Sequence, residues 1–263
     1  MVSFPVKGII FWQIKVDESL KLIDINQNKS LAVMQPYLFP YIGYFSLVQS
    51  SDIFVFYDDV NYIKQGWINR NRILINGAAH TFTIPLANGS SNELIINVKC
   101  SGFTRFRDKF LKQLKQAYAK SRNLDFGMAY VEKVLAYDGD SISELAAKSV
   151  TDFYNHIDQK KEFRFSSISF CESKGLERAE RLIDMCKYVS ANTYVNAIGG
   201  QELYSKEHFK QSGNINLKFL KPSLWPYQQP GQCDFIPGLS IIDVVMNNNI
   251  DEIKNLINRY ELV

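Results

Sequence analysis

Two stretches concentrate the side chains that could do chemistry. In "YDDVNYIKQGWINRNR", Tyr57 to Arg72, Asp58 and Asp59 can take up a proton or hold a cation. Lys64, Arg70 and Arg72 can hold phosphate or carboxylate, arginine through its bidentate fork. Asn69 and Asn71 add neutral donors and acceptors. If Trp67 to Arg72 is extended, Asn69 and Asn71 face one side and Arg70 and Arg72 the other, so the four cannot share one ligand unless the strand is bulged. The plain alternative is a set of charges that pair at the end of a sheet.

In the second stretch, "QPYLFPYIGYF" from Gln35 to Phe45, Pro36 and Pro40 exclude a regular helix and a central strand. The segment must be a loop, and it is an aromatic one. Tyr37, Tyr41 and Tyr44, with Trp67, offer flat faces with a polar tip, suited to stacking on a base or sugar ring. Gly43 is a small residue where a helix would begin. The competing reading is that these rings plug the top of the core.

Smaller signals lie further on. Arg178 and Arg181 are one helical turn apart and either face an anion or pair with Glu177 and Glu180. "NAIGGQELY" carries Asn196, Gly199 and Gly200 where a glycine pair permits close backbone approach to a ligand. It is neither a dinucleotide fingerprint nor a phosphate-binding loop of known pattern. "PYQQPGQCDFIPGLSIID" again joins proline, tyrosine and glutamine, with Tyr227 and Gln229, to an acid.

These residues need elements to position them. "LAVMQ" reads as a buried strand, "YIGYFSLVQSS" as a helix and "DIFVFYDD" as a second strand, which makes the strands parallel with a right-handed crossover. Asn76 and Gly77 mark a hairpin between "NRILI" and "AHTFTIPL". "FTRFRDKFLKQLKQAYAKS" is an amphipathic helix with a basic face, and two further helices follow, the second opened by Ser141 with Glu144 at capping-box spacing. "FRFSSISF" alternates as a strand, "GLERAERLIDMCKYVSA" is a helix, and "NTYVNAI" and "LKFLKPSLWPY" are strands. "LSIIDVVMNN" and "IDEIKNLINRY" close the chain as helices. The expected fold is α/β: a mainly parallel, Rossmann-like sheet flanked by helices, with an antiparallel hairpin inserted. Residues 1–30 read as an N-terminal extension and 31–263 as the domain, with lobes at about 31–160 and 161–263. Both loops then lie beyond the carboxyl ends of strands, where open parallel sheets bind ligands.

Composition narrows the classes. The 263 residues are 46% hydrophobic and 22% charged with net charge +3, an ordinary globular balance that demands no polyanion partner. Cys100, Cys171, Cys186 and Cys233 are widely spaced with no CxxC pair, and only three histidines, His80, His156 and His208, are scattered among them, which argues against a zinc site and for reduced thiols. No apolar run approaches the ~20 residues of a membrane helix. The apolar core at Gly8 to Trp12 is too short for a signal peptide, so the chain reads as cytoplasmic, without membrane insertion.

"QPYLFPYIGYF", "DIFVFYDDVNYIKQGWINRNRI", "RAERLIDMCKYVSANTYVN" and "PGLSIID", in this order, resemble the WbqC-like family found in gene clusters for O-antigen and other surface polysaccharides. The resemblance runs from about Leu31 onward. It implies work on an unusual sugar of a surface glycan, with a nucleotide-linked amino sugar as partner. The chemistry that suits such a setting is acyl or aminoacyl transfer to the sugar amine. On this reading Asp59, or else Asp58, is the base, and Asn69 and Asn71 are oxyanion donors. Lys64 and Arg70 hold the diphosphate, while Gln35, Tyr37 and Tyr44 line the pocket. Two alternatives are a nucleotide-sugar-binding protein without chemistry and a nucleic-acid-binding transferase, the latter only with tRNA as the nucleic acid. The residues name no cofactor.

Overall fold

Side-chain alternation sorts the core into two layers. In β1 (Ser30–Met34) Leu31 and Val33 point to one side and Ala32 to the other; in β2 (Ile53–Phe56) Ile53 and Val55 oppose Phe54 and Phe56. All are buried, because the sheet is covered on both faces. The computed structural model describes residues 28–231 and 234–263. The expected extension therefore lies outside the described residues except at its last three positions, and Cys233 also lies outside them.

Leu31, Val33, Ile53 and Val55 pack with Leu182, Ile183 and Phe209 from α6 (Arg178–Tyr188) and α7 (Lys206–Gly213). Ala32, Phe54 and Phe56 pack on the other face with α1 (Ile42–Gln49) and with two helices near the C-terminus, α8 (Ile241–Asn247) and α9 (Ile250–Ile257). Strands β5 (Glu162–Phe165), β6 (Thr193–Ala197), β7 (Asn216–Pro222) and β8 (Tyr260–Leu262) complete a six-stranded sheet of order β5-β2-β1-β6-β7-β8. It is parallel except for the edge strand β8. The chain builds outward from β1 on one side and then returns to build on the other. The fold is thus a mostly parallel, doubly wound α/β sheet, and its switch point lies between the carboxyl ends of β1 and β6.

Residues 57–161 form an insert between β2 and its sheet neighbour β5. The insert opens with a separate hairpin, β3 (Arg70–Ile75) and β4 (Ala78–Thr83), whose turn residues Asn76 and Gly77 have φ of 50° and 77°. Two successive positive φ values are the turn that matches strand twist, and Asn-Gly adopts it at little cost. Helices α2 (Phe103–Ala117), α3 (Leu124–Leu135) and α4 (Ile142–His156) follow. Ser141 caps α4 by accepting from the Glu144 amide, but the Glu144 carboxylate accepts from Tyr137 instead of closing the box.

Three expectations are corrected. "FRFSSISF" is a strand only to Phe165; Ser166–Ser169 is a single helical turn, α5, because Ser166 and Ser167 turn to meet Asp58 and Asp59. β7 stops at Pro222, and the chain continues as an irregular strap over the sheet's carboxyl edge. α7 and β8 were not expected: the one has little apolar content and the other is an edge strand of three residues.

Candidate functional site

The Pro36–Pro40 loop leaves β1, and its rings are placed by what lies beneath them. Tyr44 is buried in the first turn of α1, its hydroxyl donating to the Gln35 carbonyl at 2.9 Å and its ring 5.5 Å from that of Tyr37. Tyr41 folds back over Gly43, where a side chain would collide with the phenol. Asn71 ties the hairpin to the loop, its amide donating to the Leu38 and Phe39 carbonyls at 3.1 and 2.9 Å. The result is a cleft of about 210 Å³ lined by Tyr37, Pro40, Tyr41, Trp67, Asn71, Arg72, Leu224 and Gly238. Its walls come from the loop after β1, the hairpin and the strap after β7, so it opens at the sheet's carboxyl edge. Burial, with the neighbouring Tyr41 adding to it at Tyr37, raises the pKa of Tyr37 and Tyr41, which are hydroxyl donors at neutral pH.

Asp58 and Asp59 lie at the end of β2, both buried. Asp59 accepts from Ser166 at 2.5 Å through one oxygen and pairs with Arg181 at 2.5 Å through the other. The pair is 4–5% exposed in its side chains. Burial opposes the charge of Arg181, but the hydrogen bond it donates to Asp59 and the neighbouring Tyr57, whose ring faces the guanidinium, hold its pKa above the ordinary value. Asp58 accepts from Ser166 and Ser167. Both carboxylates are thus already engaged at the edge, and neither lines the cleft.

A third network lies under the strap. Asp243 in α8, 0% exposed, accepts from Tyr118 at 2.9 Å, Tyr227 at 2.5 Å and Gln229 at 2.8 Å. Burial raises its pKa, against the pull of the three donors. Gln229 also bonds both ways with Ile236, so the strap is tied to itself and to the helix.

The remaining residues divide. Asn69 is spent on Tyr62 and the Ile84 carbonyl, and Arg70 on the Gln65 and Gly66 carbonyls. Lys64 and Arg178 are exposed and do not line the cleft. Pro36 is buried beneath the loop. Asn196, buried at the switch point, accepts from the Ala197 amide and lies over Gly200, where a side chain would strike its amide; Gly199 is exposed with open space beside it. Burial pushes the Cys100 thiol up to about 11 and Cys186 up to about 12, so neither is a thiolate nucleophile at neutral pH. Among the described residues no group of three or more His, Cys, Asp or Glu is placed to hold a metal ion, and no helix is long and apolar enough to cross a membrane.

A family model described as the WbqC-like protein family matches residues 35–255. The chain belongs to that family. The WbqC-like match takes in the aromatic loop, the Asp58–Asp59 edge, the hairpin and Asp243. The uncharacterized protein Rv1507c of Mycobacterium tuberculosis (strain ATCC 25618 / H37Rv) is 23% identical over 233 residues, covering 83% of this chain and 94% of that protein. No solved structure matches.

Residues that sequence reasoning left without a role are Ser166, Ser167, Tyr118, Asp243, Leu224 and Gly238. For Asp243 a signal existed: an acid inside the apolar run "LSIIDVVM" is a buried polar group in need of partners. Leu224 and Gly238 carry no such mark and reach the cleft only because the strap crosses it.

Proposed function

We propose that this WbqC-like protein acts in the synthesis of bacterial surface glycans, seating a nucleotide-linked amino sugar in the aromatic cleft and transferring an acyl or aminoacyl group to its amine. The observation that carries the reading is the cleft itself. It is lined by Tyr37, Tyr41 and Trp67, and it opens at the carboxyl edge of a doubly wound sheet. Ligand pockets are commonly roughly 300–1,000 Å³. This one, at about 210 Å³, seats one ring of base or sugar size, leaving the rest of the ligand along the edge.

In the transfer the amine nitrogen attacks the acyl carbonyl, a C–N bond forms, and the donor's thiol or hydroxyl leaves with the electrons of the broken bond. The protonated Tyr37 and Tyr41 hydroxyls suit the developing oxyanion. Asp59 is given the role of fixing Arg181 and Ser166 at the edge, because both its oxygens are in use. The amine then enters neutral, and its proton passes to solvent after attack.

A second reading, a nucleotide-sugar-binding protein without chemistry, draws on the make-up of the cleft wall: aromatic rings, proline, an amide and a guanidinium, none of which takes up a proton at neutral pH. Thermal unfolding against nucleotides and nucleotide-linked sugars, with and without magnesium, tests both. A shift specific to nucleotide-linked amino sugars is expected. Product formation with acyl thioester or aminoacyl-tRNA donors then separates the first reading from the second, and no shift across the panel refutes both.

A further inference from the structure

Arg70 and Arg72 flank the same indole, each guanidinium carbon 5.7 Å from the centre of the Trp67 ring, yet their hydrogen bonding differs. Arg70 donates from Nε to the Gly66 carbonyl at 3.1 Å and from Nη2 to the Gln65 carbonyl. Nε and Nη2 form one edge of the fork, so on Arg70 that edge is filled by backbone. On Arg72 the same edge is half filled. Nη2 donates to the Gly238 carbonyl at 3.2 Å, while Nε is buried with no acceptor.

Buried guanidinium N–H groups are rarely left unpaired, and this one belongs to a residue that lines the aromatic cleft. Two adjacent N–H donors match two oxygens of a carboxylate or phosphoryl group, which a single carbonyl does not supply. Arg70 and Lys64 are poorly placed to receive such a group, since the first is committed to its own loop and the second does not line the cleft.

We propose that Arg72 is the oxyanion receptor of the cleft. Its Nε–Nη2 edge takes two oxygens of a phosphoryl or carboxylate group, one of them replacing the Gly238 carbonyl, on a ligand whose ring lies against Trp67 and Tyr41. The proposal rests on the cleft being the ligand site, as read above, and names the group that orients the ligand there.

The test is calorimetric titration and thermal unfolding of wild type, Arg72→Gln, Arg72→Lys and Arg70→Gln with four probes: uridine, UDP, inorganic pyrophosphate and glucuronate. Wild type and Arg70→Gln are expected to bind UDP at least about tenfold tighter than uridine, Arg72→Gln to lose that preference, and Arg72→Lys to recover only part of it, since an ammonium is not a fork. UDP and pyrophosphate binding through Arg72 identifies a phosphoryl source. Glucuronate binding alone through Arg72 identifies a carboxylate source; the receptor then stands while the nucleotide reading falls. Anion binding unchanged in Arg72→Gln, or no anion binding to folded wild type, overturns the proposal. So does wild-type affinity in Arg72→Lys, which also covers the case in which the glutamine variant fails to fold.

Discussion

Replacing Asp243 probes whether a buried carboxylate holds the strap that closes one side of the cleft. Three donors converge on it, Tyr118 on one oxygen and Tyr227 and Gln229 on the other, and it has no exposure to water. In Asp243→Ala the half-buried Tyr227 can turn to water and Gln229 keeps the Ile236 carbonyl. Tyr118, fully buried, keeps its bond from the Leu74 amide but has nowhere to donate. Loss of a shared charged acceptor with one donor stranded should cost about 3–5 kcal/mol. Asp243→Asn keeps one acceptor oxygen and points an NH₂ at a donor, so about 1–3 kcal/mol is expected. Urea unfolding followed by far-UV circular dichroism measures both. An alanine variant within about 1 kcal/mol of wild type would refute the reasoning. The pH dependence adds a sign. Burial raises this carboxyl above its ordinary 3.8, so the folded state binds the proton more tightly than the unfolded chain. Wild type therefore loses stability as pH rises from 3.8 through the folded value, and the asparagine variant does not. Their difference should be largest at the acid end and shrink as pH rises; a difference that grows instead contradicts a raised pKa.

Two further predictions concern other ionisable groups. Arg181→Met strands Asp59 and should cost about 3–5 kcal/mol, while adding Asp59→Asn to it should return part of that loss; strict additivity in a double-mutant cycle would mean the pair is not coupled. His156 is packed between Phe126 and Tyr130, and burial lowers its pKa against the opposing contact with the Phe126 carbonyl. Its neutral form is favoured on folding, so stability is full above the ordinary 6.5 and is lost as pH falls through that value toward the folded pKa. Thermal midpoints across roughly pH 5 to 8 should show this acid-side loss in wild type and a smaller one in His156→Gln.

What the residues reveal depends on the distance over which they act. β1, α1, β2 and the hairpin were legible because apolar runs, prolines and Asn76–Gly77 set local geometry by themselves. "FRFSSISF" alternates like a strand, but the hydroxyls of Ser166 and Ser167 bond to carboxylates more than a hundred positions earlier, and no local pattern carries that information. Strand period set Asn69 and Asn71 apart from Arg70 and Arg72, yet Asn71 and Arg72 both line the cleft. That both amides are spent on backbone carbonyls was not legible, since their partners lie in other loops. Asp243 was visible as an anomaly, whereas Tyr118 and Tyr227, separated from it in sequence, could not be paired with it from spacing.

The insert between β2 and β5 has a kinetic consequence. β2 pairs with β1 early in the chain, but its other edge, the apolar Ile53–Phe56, is not covered until Glu162–Phe165 arrives. Closing a free loop over residues 57–161 costs about 4 kcal/mol in chain entropy on a logarithmic estimate. Prior collapse of the hairpin and α2–α4 shortens the effective loop, so the insert serves as a folding aid as well as a wall of the cleft. On the ribosome, a nascent chain that has passed β2 and not yet reached β5 presents an unpaired, uncharged strand edge, the form most exposed to intermolecular pairing.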